Sequence, residues 1–146
     1  MNIVWQWFRN DDQLKAAQKA FNTCREFIAP WVDEVTIACS NMKPDSGASA
    51  EIEQNYPYRY CIINLHTGWF SKCERDQATD MLHELLHTYT TELECFVELA
   101  LIAPIRDVDK VRFDVFQDQF KQKLEGWNCD LTALCQRITG IGKKTA

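Results

Sequence analysis

Apolar residues recur with the period of an amphipathic helix in three segments of the chain. Residues 11–29 begin with acidic residues, continue with an apolar stripe and are followed by Pro30, a pattern that predicts a first helix. Residues 74–103 carry a broad apolar surface, which predicts a second helix that ends before Pro104. A third helix is predicted over about 107–138. Its apolar stripe consists of Val111, Val115, Phe116, Phe120, Leu124, Trp127, Leu131, Leu134 and Ile138.

Two segments have the aromatic and β-branched content of strands. Residues 58–66 give the strongest strand signal, and residues 32–39 give a second one. Residues 40–55 are polar and contain turn-forming residues at 44–47, so they predict a loop. We therefore expect a single α+β domain over 1–146, in which a small twisted sheet packs with an N-terminal, a central and a C-terminal helix.

The predicted central helix contains the sequence His83-Glu84-Leu85-Leu86-His87, which is the pattern HExxH. On a helix the two histidines project roughly 40° apart and about 6 Å apart along the axis, so their nitrogens can share one metal ion. Glu84 projects about 100° from His83, beside the metal, where a general base can take a proton from water. The motif therefore predicts a Zn²⁺ site with His83 and His87 as ligands and Glu84 as the catalytic base.

A catalytic zinc site normally has three protein ligands, so two histidines do not complete it. The only other histidine is His66, which precedes the motif and ends a predicted strand. In a straight helix Glu94 lies about 10 Å beyond His87 along the axis, and Glu98 lies farther still. Neither carboxylate reaches the metal unless the helix breaks near Thr90, so a ligand on the following helix is favoured.

Glu125 is the carboxylate that we favour on the C-terminal helix. It follows Leu124 directly and therefore borders the apolar stripe of that helix. Its alternative role is a surface ion pair with Lys121, which lies four residues earlier. We expect Glu125 to be the third zinc ligand, and Glu94 and Glu98 stay open as alternatives.

The charge and the hydropathy of the chain count against two classes of partner. The formal net charge is −5 and basic residues are scattered, so we expect no nucleic-acid partner. No apolar run approaches the roughly 20 residues needed to cross a membrane, and residues 1–11 lack the apolar core of a signal peptide. We therefore expect a cytoplasmic protein that has no membrane partner.

Seven cysteines are dispersed along the chain, and none forms a CxxC pair. An odd, dispersed set argues against a disulfide framework and against a cysteine zinc ribbon. Most lie among apolar residues, as Cys61 and Cys95 do, where a reduced cysteine behaves as a small hydrophobe. Core filling is the expected role, and Cys129 is the cysteine that stays a candidate metal ligand.

The segment Met81-Leu82-His83-Glu84-Leu85-Leu86-His87 resembles the zincin metallopeptidases. The lack of a histidine after His87 is similar to the gluzincin branch, which implies a third ligand from a glutamate on a later helix. Residues 62–66, the HELLH motif and residues 125–132 together resemble small single-domain HExxH proteins of phage and bacterial genomes.

The gluzincin resemblance implies a peptide or protein substrate, met in the host cytosol if the chain is phage-encoded. In that branch the strand before the motif helix pairs with extended substrate. This implies Asn64 and Leu65 as substrate-binding residues. The metallopeptidases that cleave phage repressors are a second relative, and comparison with them favours Glu94 as the third ligand.

Three functions follow from these patterns. The leading hypothesis is zinc-dependent hydrolysis of peptide bonds, with Glu84 as base and then as acid. The alternative is a non-catalytic protein, stabilised by zinc, that serves in binding or phage assembly. Such a protein has little need of Glu84, so the presence of that carboxylate favours the enzyme. The third hypothesis is a helical module without metal, which predicts that a chelator leaves the stability of the protein unchanged.

Overall fold

The computed structural model describes residues 1–40, 47–106 and 108–142. The strands are β1 (Asn2–Gln6), β2 (Glu34–Ser40), β3 (Ala50–Asn55) and β4 (Tyr60–His66). The helices are α1 (Asp11–Cys24), α2 (Glu74–Val97), α3 (Ala103–Arg106) and α4 (Lys110–Thr139). The predicted α+β class is confirmed, with an N-terminal helix, a motif-bearing helix and a C-terminal helix around a small sheet.

The four strands form one mixed sheet in the order β1-β2-β4-β3. The strands β1, β2 and β4 run parallel, whereas β3 pairs antiparallel with β4 at the edge. The two central strands are the two that the sequence predicts, because their alternate residues are apolar and fully buried. Those residues are Val35 and Ile37 on β2, and Cys61, Ile63 and Leu65 on β4.

The predicted loop over 40–55 is wrong for its second half, because residues 50–55 form β3. This strand lies at the edge of the sheet and carries Glu51, Glu53 and Gln54, so its composition is that of a polar segment. Polar and charged residues are usual on an edge strand, where they discourage pairing with other chains. Residues 41–46 of the predicted loop lie outside the described residues. The other edge strand, β1, has no counterpart in the sequence prediction.

The main core lies between one face of the sheet and the helices α1 and α2. Asn10 caps α1 by accepting a hydrogen bond from the backbone N–H of Gln13, at 2.9 Å. The buried side chains that α1 and α2 contribute are Ala17, Ala20, Phe21, Cys24, Ala78, Met81, Leu82, Leu85 and Leu86. The central helix is thus buried along its motif, which fixes the position of the HExxH residues.

The helix α2 runs without a break through its threonines, so the break that would bring Glu94 back toward the motif does not occur. Thr90 and Thr91 donate their hydroxyl groups to the carbonyl of His87, one turn earlier. After Val97 the chain continues as a π-helical turn over Glu98–Ile102.

The prediction that Pro104 ends the helix is wrong, because Pro104 lies within the short helix α3. Near the start of a helix a proline lacks only an N–H that has no intrahelical partner. Within the described residues, none of the helices combines the length and the apolar character needed to span a membrane.

The helix α4 confirms the predicted C-terminal helix but buries a different face. The predicted start at 107 lies outside the described residues, and Gly140 ends the helix with a φ of +78°. The buried residues of α4 are Leu124, Asn128 and Thr132, two of them polar. Most of the predicted apolar stripe is exposed, namely Val111, Val115, Phe116, Trp127, Leu131, Leu134 and Ile138. The polar face is buried because it meets the histidines of α2.

Candidate metal centre

Three side chains from two helices converge at one point. The Nε2 atom of His83 lies 3.0 Å from Oε1 of Glu125. The Nε2 atom of His87 lies 3.4 Å from Oε2 of the same carboxylate. The two Nε2 atoms are 3.3 Å apart. The helix α2 supplies both imidazoles because its motif places them one turn apart, and α4 packs against α2 to supply the carboxylate.

The spacing of these atoms fits a zinc ion. Zinc binds imidazole nitrogen and carboxylate oxygen at about 2.0–2.2 Å in a tetrahedral arrangement, which separates neighbouring ligand atoms by roughly 3.3 Å. The separations among His83, His87 and Glu125 span 3.0 to 3.4 Å. Two imidazoles and one carboxylate are also a known donor set for catalytic zinc, because they leave one position open.

The alternative ligands lie elsewhere. Because α2 continues unbroken from His87 to Val97, Glu94 is about 10 Å farther along the helix axis than His87. Glu98 begins the π-helical turn beyond it. Lys121, the partner in the alternative role of Glu125, lies near enough to Glu94 that its charge opposes the rise in the Glu94 pKa that burial causes. Among these glutamates, the geometry favours Glu125.

Two buried residues of α4 contact the Nδ1 atoms of the two histidines, which are the ring nitrogens that do not face Glu125. The side-chain amide of Asn128 lies 2.6 Å from Nδ1 of His87. The hydroxyl of Thr132 lies 3.3 Å from Nδ1 of His83 and donates to the carbonyl of Asn128, at 2.7 Å. Because that hydroxyl proton is already engaged, the Thr132 oxygen is available to accept from Nδ1–H of His83. That tautomer leaves the Nε2 lone pair for a metal.

Asn128 can act on His87 in the same way. Its Oδ1 atom is buried and has no hydrogen-bond partner in the part of the chain that the structure describes, whereas its nitrogen faces the ring. The oxygen and nitrogen of an amide have the same shape, so a half-turn places Oδ1 against Nδ1–H of His87. Sequence reasoning missed both residues. The available signal was the spacing of Leu124, Asn128 and Thr132, which recur every four residues on one face of α4.

Glu84 is buried beside this cluster, with only 8% of its surface exposed. Burial, together with the charges of Glu125 and Asp80, raises the pKa of Glu84 to about 8. A hydrogen bond from the backbone of Ile52 on β3 acts in the opposite direction and lowers this pKa. Glu84 is thus a carboxyl group with a high proton affinity, held between the edge strand and the motif helix.

His87 has the electrostatic setting of a metal ligand. Burial lowers the pKa of His87, and the neighbouring imidazole of His83 lowers it further. Glu125 opposes this shift in the pKa but does not cancel it. The ring is therefore neutral at neutral pH, and no proton competes with a metal ion for its lone pair.

Two cavities meet at this cluster. One, of about 710 Å³, extends past Lys72, Asp80 and Gln136, and the other, of about 610 Å³, extends past Gln54 and Glu94. Both are lined by the ligand residues His83 and Glu125, by Glu84 and by the start of β3. Together they form a groove that runs along the edge strand on both sides of the candidate metal centre.

Asn64 and Leu65 do not lie where the resemblance placed them. Both belong to β4, which is hydrogen-bonded to β2 on one side and to β3 on the other. Leu65 is fully buried, and Asn64 donates to a carboxylate oxygen of Glu53, at 2.8 Å. The expectation that they pair with substrate is therefore corrected, because β4 is paired on both sides. Among the described strands, the outer edge beside α2 belongs to β3.

Cys129 also stands next to the cluster. Its Sγ atom lies 3.9 Å from Oε1 of Glu125. One ligand atom each from His83, Glu125 and Cys129 lie within 4.8 Å of one another. The side chain of Cys129 is exposed and borders the larger of the two cavities.

Comparison of the chain with family models, with curated proteins and with solved structures found no match. The chemistry of the site follows from its own residues. They offer one carboxylate and two imidazoles that can hold a metal, a buried glutamate beside them and an open groove on either side.

Proposed function

We propose that this chain is a zinc-dependent metallopeptidase of the gluzincin kind. His83, His87 and Glu125 would hold Zn²⁺, and Glu84 would serve as general base. One observation carries the proposal: two imidazoles and a carboxylate from separate helices lie 3.0 to 3.4 Å apart beside a buried glutamate. A helical module without metal gives no reason for this convergence of polar groups.

Each residue has a defined part in hydrolysis. Bound zinc would polarise the scissile carbonyl and lower the pKa of a water molecule toward about 7. Glu84 accepts the proton that the water loses and then delivers it to the leaving amine. The positive charge of bound zinc would keep the Glu84 carboxylate ionised, while burial and the charges of Glu125 and Asp80 keep its proton affinity high. Thr132 holds His83 in the tautomer that binds metal, and Asn128 would hold His87 in that tautomer once its amide is turned so that Oδ1 accepts from Nδ1–H.

The free edge of β3 supports an extended peptide as the substrate. In an antiparallel pair, successive residues direct their backbone groups alternately to the partner strand and away from it. Ile52 directs its N–H away from β4 and toward Glu84, so Ala50 and Gln54 direct theirs to the same edge. A peptide that adds to this edge lies in the groove and passes beside Glu84.

The second candidate is a non-catalytic protein that zinc stabilises for binding or assembly. The position of Cys129 favours it, because structural zinc sites have four protein ligands and catalytic sites keep one position open. Glu84 separates the two candidates, since a closed structural site gains nothing from a buried carboxyl group of high proton affinity.

The direct test is cleavage of a mixed peptide library by the zinc-loaded protein, read by mass spectrometry. Glu84→Gln keeps the size of the side chain but cannot accept a proton. We expect it to retain zinc and to cleave at least about 100-fold more slowly. Glu26→Gln, an exposed change outside both cavities, is the matched control and should cleave like the parent. Equal cleavage by parent and Glu84→Gln, or no cleavage by either the zinc-loaded parent or its zinc-loaded Cys129→Ser variant, would reject the proposal.

A further inference from the structure

Cys129 lies four residues after Glu125 on α4, so the two side chains project from the same face of the helix. The thiol donates to Oε1 of Glu125, at an Sγ–Oε1 distance of 3.9 Å. The same oxygen lies 3.0 Å from Nε2 of His83. The sulfur is therefore next to two of the atoms that would bind the metal.

We propose that Cys129 is a fourth protein ligand of the metal, so that the resting centre is a closed set of two histidines, one glutamate and one cysteine. This inference rests on the proposed function in one respect, which is that His83, His87 and Glu125 hold the ion. It adds a ligand that the HExxH motif does not include.

The positions of two of the other three ligands support a thiolate ligand. Ligand atoms of His83, Glu125 and Cys129 lie within 4.8 Å of one another, whereas His87 is not part of that group. Zinc binds sulfur at about 2.3 Å and carboxylate oxygen at about 2.0–2.2 Å, so the two atoms lie roughly 3.5 Å apart in a tetrahedral site. The observed Sγ–Oε1 distance of 3.9 Å exceeds this separation only slightly. Because the side chain of Cys129 is exposed, rotation about its Cα–Cβ bond can bring the sulfur closer without disturbing the core.

Cys129 approaches the candidate metal centre from a cavity that the proposed base, Glu84, also borders. Cys129 borders the larger cavity together with His83, Glu84 and Glu125. A thiolate that enters from this cavity occupies the fourth position, which water would otherwise take. In this step the S–H bond breaks, a sulfur–metal bond forms and the proton is released to the buffer. Cys129 therefore competes with water, and its removal leaves a three-ligand, open site.

The test uses Co²⁺ in place of zinc, because Co²⁺ reports its ligands by absorption. Tetrahedral Co²⁺ gives bands in the visible region, and a thiolate ligand adds a strong charge-transfer band in the near ultraviolet. We expect the parent to show both. Cys129→Ala and Cys129→Ser should keep the visible bands and lose the near-ultraviolet band. Cys73→Ala removes another exposed thiol, at the start of α2 and outside both cavities, and should keep both features.

The outcomes separate this inference from the proposed function. Visible bands without a near-ultraviolet band in the parent, or a near-ultraviolet band that survives both Cys129 variants, would overturn the thiolate ligand and leave the three-ligand site intact. Failure of the parent to bind Co²⁺ at all would overturn both. Far-ultraviolet circular dichroism of both Cys129 variants checks that each is folded, and the use of two different substitutions keeps the test valid if one of them fails to fold.

Discussion

The side-chain amide of Asn128 lies 2.6 Å from Nδ1 of His87, on a different helix and 41 residues away in the chain. Asn128 is fully buried, and its Oδ1 atom has no hydrogen-bond partner among the described residues. Burial of an amide costs free energy unless the amide is hydrogen-bonded, and the contact with His87 offsets part of this cost for Asn128. The pair links α2, which carries the candidate ligands His83 and His87, to α4, which carries Glu125.

Asn128→Ala is expected to weaken zinc binding about 10- to 100-fold, since partners behind a ligating histidine have effects of this size. Asn128→Asp retains an acceptor for Nδ1–H of His87 and should restore most of the affinity. The measurement is competition for zinc with a chromophoric chelator. Gln122→Ala, an exposed change on the same helix, should bind zinc like the parent. Equal affinity of the parent and Asn128→Ala would refute this role.

Thr132→Val tests the contact between the Thr132 hydroxyl and Nδ1 of His83. Valine keeps the shape of threonine but cannot accept from Nδ1–H of His83, so zinc affinity should fall by about tenfold. The hydroxyl also bonds to a backbone carbonyl of its own helix, and Thr139 makes the same kind of bond to the carbonyl of Cys135, at 2.8 Å. Thr139→Val is therefore the matched control. A similar loss in both variants would assign the effect to the helix rather than to His83.

The buried face of α4 was the feature that the sequence prediction missed. Hydrophobic periodicity assigns the core side of a helix to its apolar residues, and on α4 that rule selects Val111, Trp127 and Ile138. These residues are exposed, while Asn128 and Thr132 are buried. The rule fails here because the neighbouring surface of α2 presents imidazole nitrogens, which need polar partners. A pattern within one helix does not show what the other helix presents.

Other parts of the fold were predictable for a definite reason. The central strands and the three long helices carry regular apolar patterns, and the structure contains all of them. The strand β3 was missed because an edge strand does not need apolar residues on both faces. The reach of a straight helix favoured a ligand on α4, because α2 does not break after His87, and the position of Glu125 beside Leu124 then favoured that carboxylate. The sequence could not identify β3 as the edge strand that a substrate peptide would pair with, since that depends on the order of the strands in the sheet.

Glu84 predicts a pH dependence of the metal-free protein. Its folded pKa is raised from 4.5 to about 8, so the folded state favours the protonated carboxyl group. The resulting stability is fully present below pH 4.5 and is lost as the pH rises through about 8. Full loss corresponds to about 5 kcal/mol in the free energy of unfolding. Glu84→Gln removes this dependence, so its stability relative to the parent should increase with pH.

Urea unfolding in the presence of a chelator, at several pH values between about 5 and 9, measures this difference. The lowered pKa of His87 acts in the opposite sense, because its contribution is lost as the pH falls through the folded pKa. That contribution is present in both proteins and cancels in the comparison. A stability difference that stays constant over this range would contradict the assignment to Glu84.

The central claim is that His83, His87 and Glu125 hold one zinc ion, and native mass spectrometry of zinc-loaded protein tests it most directly. Protein purified without a metal-affinity tag should carry one zinc per chain. His83→Ala and Glu125→Ala should lose it, each made in the Cys129→Ser background so that no thiolate replaces the missing ligand. Glu94→Ala and Glu98→Ala remove the alternative carboxylates and should keep it. Full retention of zinc in Glu125→Ala would reject Glu125 as a ligand. A parent that binds no zinc would contradict the account as a whole.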